Sequence, residues 1–379
     1  MAQLPLSLYI HLPWCERKCP YCDFNSHESS ELPEDAYIDA LLSDLDKDLA
    51  LAGHREIQTL FIGGGTPSLF SAESISRLMS GLASRLNLAT DLEATMEANP
   101  GSAEADKFIG FRQAGVNRLS MGIQSFQDEK LRALGRVHSA EQAASAIEYA
   151  HKAGFNSFNI DLMHGLPGQT EADAVHDLQQ AMAFKPPHLS WYQLTIEPNT
   201  VFHKRPPQLP VEDTLADIQD RGERLLAEGG YGQYEVSAYS QRDHECRHNL
   251  NYWSFGDYLA LGAGAHGKIT SAEGEITRYA KTRAPADYLS GDEVTVNKRT
   301  LSQVETISEF MLFALRLNRG FTRQRFEQTT GMSADTLDPQ LQPLLDRELL
   351  VLEDDVVRAS DLGRRYLDYV IAEFLPDEP

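Results

Sequence analysis

LSLYIHLPWCERKCPYCDF, residues 6–24, sets an apolar run directly against three cysteines spaced C-x3-C-x2-C. The run at 6–12 has the length and composition of a buried strand, and Cys15, Cys19 and Cys22 follow before any helix signal. The fourth cysteine, Cys246, lies more than two hundred residues further on. Structural zinc closes on four ligands, and only His11 stands close enough to complete such a set. A bacterial ferredoxin loop supplies four thiolates in C-x2-C-x2-C-x3-C, one more than this loop has. A cubane [4Fe–4S] cluster accounts for the shortfall: three irons take one thiolate each and the fourth keeps an open site for a chelating small molecule. Zinc with His11, and three cysteines with purely structural roles, are the alternatives.

Outward from this loop, strand-like and helix-like stretches alternate. Strands are expected at 6–12, 59–65, 92–99, 117–125, 155–165 and 189–196, and helices at 34–51, 71–87, 103–114, 139–153 and 170–184. Tyr37, Ile38, Leu41, Leu42, Leu45 and Leu49 make the apolar stripe of the first helix. Ser139 with Gln142, and Thr170 with Asp173, carry N-cap signals. Six β-then-α units predict an α/β fold with a parallel sheet and right-handed crossovers. Polar or glycine residues at successive strand ends favour a partial (β/α)6 TIM-like barrel, on which such ends share one face; a doubly wound sheet would gather chemistry at one switch point. A helix at 212–228 and a strand at 234–240 follow. From residue 301 the order helix, helix, helix, hairpin, helix resembles a winged-helix module. Three regions result: a core domain at 1–240, a linker at 241–300 and a C-terminal helical, winged-helix-like domain at 301–379.

The formal net charge of −22 argues against general binding to phosphate backbones or anionic lipid, and "RQRF" is the only basic cluster of the C-terminal region. No apolar run approaches a membrane span, and the N-terminus lacks the features of a signal peptide. Four cysteines, three of them clustered, suggest a reducing, cytoplasmic setting.

C-x3-C-x2-C after a first strand resembles the radical S-adenosylmethionine (SAM) enzymes, and the strand-end "GGGTP" at 63–67 matches their glycine-rich turn. The resemblance narrows to the oxygen-independent coproporphyrinogen III oxidase-like subgroup through Y-x-H-x-P-W-C (Tyr9 to Cys15), E-x-N-P (Glu97 to Pro100), G-x-Q-S-F (Gly122 to Phe126), L-G-R (Leu134 to Arg136) and D-L-x-x-G-L-P (Asp161 to Pro167). It implies a radical SAM barrel with a [4Fe–4S] cluster on Cys15, Cys19 and Cys22. It further implies S-adenosyl-L-methionine held by Tyr9, Tyr21, Gly64, Gly65, Thr66, Glu97, Gln124, Arg136 and Asp161. Tyr21 suits adenine stacking, the carboxylates suit ribose hydroxyls or the ammonium, and Arg136 suits the methionyl carboxylate.

The sequence departs from the decarboxylating oxidases: Cys22 is followed by Asp23-Phe24 instead of a further C-G-C, and the chain starts its first strand without their N-terminal extension. It carries H-N-x-x-Y-W instead, His248 to Trp253, which resembles the haem-chaperone branch of the subgroup. That branch implies haem binding by region 241–300, with His248 as axial ligand, and delivery to client haem proteins, those of the respiratory chain among them. Dimerisation stays open, and the alternative is a radical SAM oxidoreductase acting on coproporphyrinogen III or a related tetrapyrrole. "HECRH" (244–248) matches H-E-x-x-H without an apolar helical face, and "GAGAHG" (262–267) matches G-x-G-x-x-G without a helix after it, so neither is read as a site. His266 in the latter is read as a turn residue, with a second haem-side residue as the alternative.

Overall fold

The computed structural model describes residues 4–101, 107–291 and 293–376. Its first half runs β1 (Leu6–Leu12), α1 (Glu34–Ala52), β2 (Glu56–Gly64), α2 (Ala72–Ala83), β3 (Asn87–Ala98), α3 (Phe108–Gln113), β4 (Arg118–Gln124), α4 (Ala140–Lys152), β5 (Ser157–His164), α5 (Glu171–Ala183) and β6 (His188–Gln193). Neighbouring strands from β1 to β6 pair in chain order and in parallel. This is the expected six-unit arrangement, and all its C-terminal strand ends face one side. Ser139 and Thr170 close complete capping boxes on α4 and α5, so these helices begin where the sequence signals them. Residues 103–106 of the helix expected at 103–114 lie outside the described residues.

Two boundaries move. The helix expected at 71–87 stops at Ala83, and β3 begins at Asn87 instead of at 92. Asn87 and Leu88 pair with Glu56 and Ile57, and the register then jumps to Thr59 opposite Glu93. The polar residues of that irregularity interrupt the apolar pattern that marks a strand. The second concerns 234–240, which is not one strand. After α6 (Glu212–Glu228), β7 (Gly232–Glu235) and β8 (Ala238–Ser240) form a tight antiparallel hairpin, and β8 pairs with β6.

Residues 241–300, read as a linker, supply helix α7 (Arg247–Trp253) and four strands of the main sheet: β9 (Asp257–Leu261), β10 (His266–Thr270), β11 (Ile276–Lys281) and β12 (Thr295–Thr300). Strand β9 pairs in parallel with β1, and the other three extend the sheet antiparallel. The sheet is open, with twelve strands in the order β12-β11-β10-β9-β1-β2-β3-β4-β5-β6-β8-β7. A buried ion cluster fastens the extension to α1: Lys281 Nζ lies 2.6 Å from Asp44, 2.7 Å from Asp48 and 2.9 Å from the Thr295 hydroxyl.

The C-terminal module contains α8 (Gln303–Ala314), β13 (Phe321–Thr322), α9 (Arg323–Thr330), α10 (Asp338–Asp346), β14 (Leu350–Glu353) and β15 (Val356–Ala359). Its strands form a separate sheet in the order β13-β15-β14, and short helices at Asp361–Arg365 and Leu367–Ala372 follow. Phe310, Phe326, Leu344 and Val357 pack together with Phe255 and Ile276 from the preceding region. The module therefore shares its core with the sheet extension at 241–300.

Candidate functional site

The sheet curves around a cavity of about 680 Å³, within the range of small-molecule sites. Its walls follow the two-residue period of the strands. Arg118, Ser120, Gly122 and Gln124 of β4 face inward, as do Asn159, Asp161 and Met163 of β5 and His188, Ser190 and Tyr192 of β6. The residues between them, including Leu119, Met121, Ile123, Ile160, Leu162 and Leu189, are buried, on the opposite face under the helices. A parallel sheet covered on both faces would normally be apolar throughout; here the inner face is polar because it lines a site.

Cys15, Cys19 and Cys22 all line this cavity as free thiols. Burial pushes the thiols of Cys15 and Cys22 up, while Ser26 pulls both back. The cysteine loop is tied to the end of β2: Gly65 N–H donates to Leu12 O at 2.9 Å and Thr66 N–H to Trp14 O at 2.7 Å. A Cβ at Gly65 would stand 2.4 Å from Trp14 O and 3.0 Å from Cys15 Sγ, so the loop's approach itself requires glycine there. Gly64, at φ +125°, donates its N–H to Glu97 Oε2 at 3.0 Å. All three amides of the turn are thus spent within the protein, and a ligand meeting this turn would find its carbonyl oxygens, which suit an ammonium.

Arg136 lies between loop and strands. Its guanidinium donates to Asn99 Oδ1 at 2.6 Å, to Gly122 O at 2.7 Å and to Cys19 Sγ at 3.6 Å, while its buried Nε has no partner. Glu97 is pushed up to about 8, first by burial and then by the Asp161 carboxylate, against the pull of the Gly64 amide. Asp161 is raised by burial and held by Ser120 at 3.0 Å and Asn159 at 2.7 Å. Gln124 takes φ +68°, in the left-handed region uncommon for a side chain other than glycine, and its Oε1 accepts from the Tyr192 hydroxyl at 2.9 Å.

Of the twelve residues assigned to cluster and SAM, eleven line the cavity. Tyr9 is outside that lining; its hydroxyl bonds His11 Nδ1 at 2.9 Å and its ring stacks on Phe61. His11 Nε2 is engaged by Asn25 O at 2.9 Å, so both its ring nitrogens are occupied and zinc loses its fourth ligand. Among the described residues no three His, Cys, Asp or Glu groups converge on a single ion.

His248 also lies apart from the cavity lining. It sits in the first turn of α7, its Nδ1 3.1 Å from the Thr59 hydroxyl and its ring stacked on Phe61 at 4.9 Å. Burial and nearby Arg118 depress it to about 3, so the imidazole is neutral. Glu93 accepts the N–H groups of Arg247 and His248, at 3.1 and 3.0 Å, and so caps the helix. The H-N-x-x-Y-W helix presents two stripes: Asn249 and Trp253 reach the cavity, while Tyr252 stacks on Tyr258 and meets Phe313 at the domain junction. "HECRH" is not one helix, since α7 starts only at Arg247, and "GAGAHG" leads into strand β10, whose first residue is His266, paired with Ala280, instead of the turn residue expected.

Sequence reasoning missed Arg118, Asn159, His188, Tyr192 and Arg316, all of which line the cavity. For all but Arg316 a signal was present: polar residues at every second position of strands otherwise apolar enough to be buried.

Three thiols on a cavity ringed by parallel strand ends define a radical SAM protein, and residues 9–181 match the Radical SAM superfamily while 301–366 match the HemN C-terminal domain. The solved structure of coproporphyrinogen III oxidase (HemN) from Escherichia coli, described as a radical SAM enzyme, superposes with a TM-score of 0.83 at 25% identity, covering 98% of this chain and 90% of that one. The chain is 49% identical to heme chaperone HemW of Escherichia coli K12, covering 98% of this chain and 99% of the relative. It is 48% identical to heme chaperone HemW of Haemophilus influenzae, with 99% of each covered. The chain belongs to the family of these HemW proteins, within the radical SAM superfamily.

Proposed function

We propose that this protein is a cytoplasmic haem chaperone that binds haem and passes it to client apo-proteins, those of the respiratory chain among them. In this reading Cys15, Cys19 and Cys22 hold a [4Fe–4S] cluster, beside which S-adenosylmethionine is bound. The observation that carries it is the convergence of three free thiols, a glycine turn offering carbonyls and the Glu97–Asp161 carboxylates on one cavity, in a chain similar over its whole length to proteins named heme chaperones.

When bound, the cluster would supply an electron and an open coordination site. The protein's own contributions are positional. Gly64 and Gly65 let the loop seat against β2, Arg136 sets a positive charge beside Cys19, and Tyr21 offers an aromatic face. Glu97 and Asp161 would receive the cationic ligand. For His248 to ligate haem iron, α7 must move, because Phe61 covers its ring and Thr59 engages Nδ1.

Anaerobic transfer of haem to an apo-client, with and without reconstituted cluster, tests the reading; haem retention followed by transfer is expected, and no retention refutes it. Identical Soret spectra and stoichiometry for the wild type and His248→Ala would reject His248 as the axial ligand. The likeness to HemN favours a second reading, a radical enzyme acting on a tetrapyrrole. Anaerobic reduction would then release 5′-deoxyadenosine and consume added coproporphyrinogen, without haem retention.

A further inference from the structure

The cavity has a second lobe far from the cysteines. Strand β4 spans it from Gln124 to Arg118, about 20 Å at ~3.3 Å per residue. Arg136 and the thiols belong to the Gln124 end. Beyond Arg118 the cavity is completed by Glu235 of β7, Asn249 and Trp253 of α7, and Arg316 just past α8.

This lobe contains donors that the protein does not use. Arg118 is only 3% exposed; among the described residues its guanidinium makes no hydrogen bond or ion pair with another side chain, and Cys246, Glu93, Tyr234 and Asp161 lie near it. The buried Nε of Arg316 and the indole Nε1 of Trp253 have no partner either. Arg316 is held in place from two sides: its guanidinium lies 4.4 Å over the Trp253 ring, and Nη2 is 3.5 Å from Glu235 Oε2. The neighbouring chain is pinned as well, with Asn318 donating from its backbone to Tyr234 O and from its side chain to Gln233 O, both at 3.0 Å.

Buried donors left unpaired are costly, and a ligand acceptor would relieve them. Two guanidinium groups and an indole N–H call for an anionic oxygen ligand. The charge balance selects its valence. Glu235 Oε2 stands 3.5 Å from Arg316 but has no hydrogen-bond partner, and Glu93 and Asp161 lie near Arg118; a dianionic phosphate would meet more repulsion from these carboxylates than a monoanion. We propose that Arg118, Arg316 and Trp253 form a carboxylate-binding lobe that takes a propionate side chain of a tetrapyrrole. The inference rests on the haem-binding reading above. The methionyl carboxylate of S-adenosylmethionine offers the same chemistry, but in that reading it belongs beside the cysteines, at the opposite end.

The test uses the full chain with iron(III) protoporphyrin IX and with its dimethyl ester, in the wild type, Arg316→Gln and Trp253→Phe. S-adenosylmethionine affinity is measured in parallel. The wild type should prefer the free acid by roughly tenfold, the scale of one charged hydrogen bond. Arg316→Gln should bring that ratio close to one and leave S-adenosylmethionine affinity unchanged; Trp253→Phe, which keeps an aromatic face and removes the indole donor, should lower the ratio partway. Equal affinity of the wild type for acid and ester would overturn the lobe while leaving the haem reading intact. So would an unaltered ratio in both variants, or a loss confined to S-adenosylmethionine. Failure of the wild type to bind either porphyrin would remove both.

Discussion

Gly65→Ala is the substitution whose effect can be worked most directly from the structure. The new Cβ would lie 2.4 Å from Trp14 O, against an ordinary contact of at least 3.4 Å. The loop must therefore retreat by about 1 Å, because the obstacle is backbone and cannot rotate away. Overpacking of this kind costs about 1–3 kcal/mol, which a chain of this size tolerates with a fall of a few degrees in Tm. The functional effect is larger, since metal–ligand distances tolerate only about 0.2 Å and Cys15 Sγ is 3.0 Å from the same Cβ. Anaerobic reconstitution followed by iron and sulfide analysis should give a cluster content well below wild type, while far-ultraviolet circular dichroism stays native. Gly232→Ala is the control: its Cβ would meet only Ser240 O, at 3.9 Å. A Gly65→Ala protein that reconstitutes as fully as the wild type would refute the claim that this turn seats the cluster loop.

Glu97 makes cation binding depend on pH. With its carboxyl raised to about 8, it is mostly protonated at pH 7, and a cationic ligand favours the ionised form. S-adenosylmethionine affinity should rise with pH up to about 8 and level off above it, by at most tenfold per unit; calorimetric titration that finds no such rise, or finds Glu97→Gln equally pH-dependent, contradicts the assignment. The same raised value means that Glu97 stabilises the ligand-free fold below its unfolded pKa, and that this contribution is lost as the pH climbs through about 8. Lys281→Met would strand Asp44 and Asp48 in a buried site where both now pair with one ammonium. A loss of about 3–5 kcal/mol is expected in denaturant titration, and less than about 1 kcal/mol would show that these carboxylates are neutral.

Much of the architecture was legible because it follows from local rules. The stripe of α1, the caps at Ser139 and Thr170 and the six alternating units depend on residues near one another in sequence. The strands at 257–300 were not, because β9 joins β1 across the whole barrel and three antiparallel strands follow; pairing between distant segments leaves no periodic mark in either. The hairpin at Val236–Ser237 was hidden for the opposite reason: its two arms are short enough to read as one strand.

The cysteine spacing and the strand-end motifs by themselves determined the class of protein and named residues that line one end of its cavity, since each is a property of residue types at set intervals. Folding decided which atoms remain free to act. It consumed the amides of the glycine turn, covered His248 with Phe61, and left Nε of Arg316 and the indole N–H of Trp253 unpaired at the far end. A sequence records which donors and acceptors exist, but only their positions in three dimensions determine which ones the protein has already satisfied.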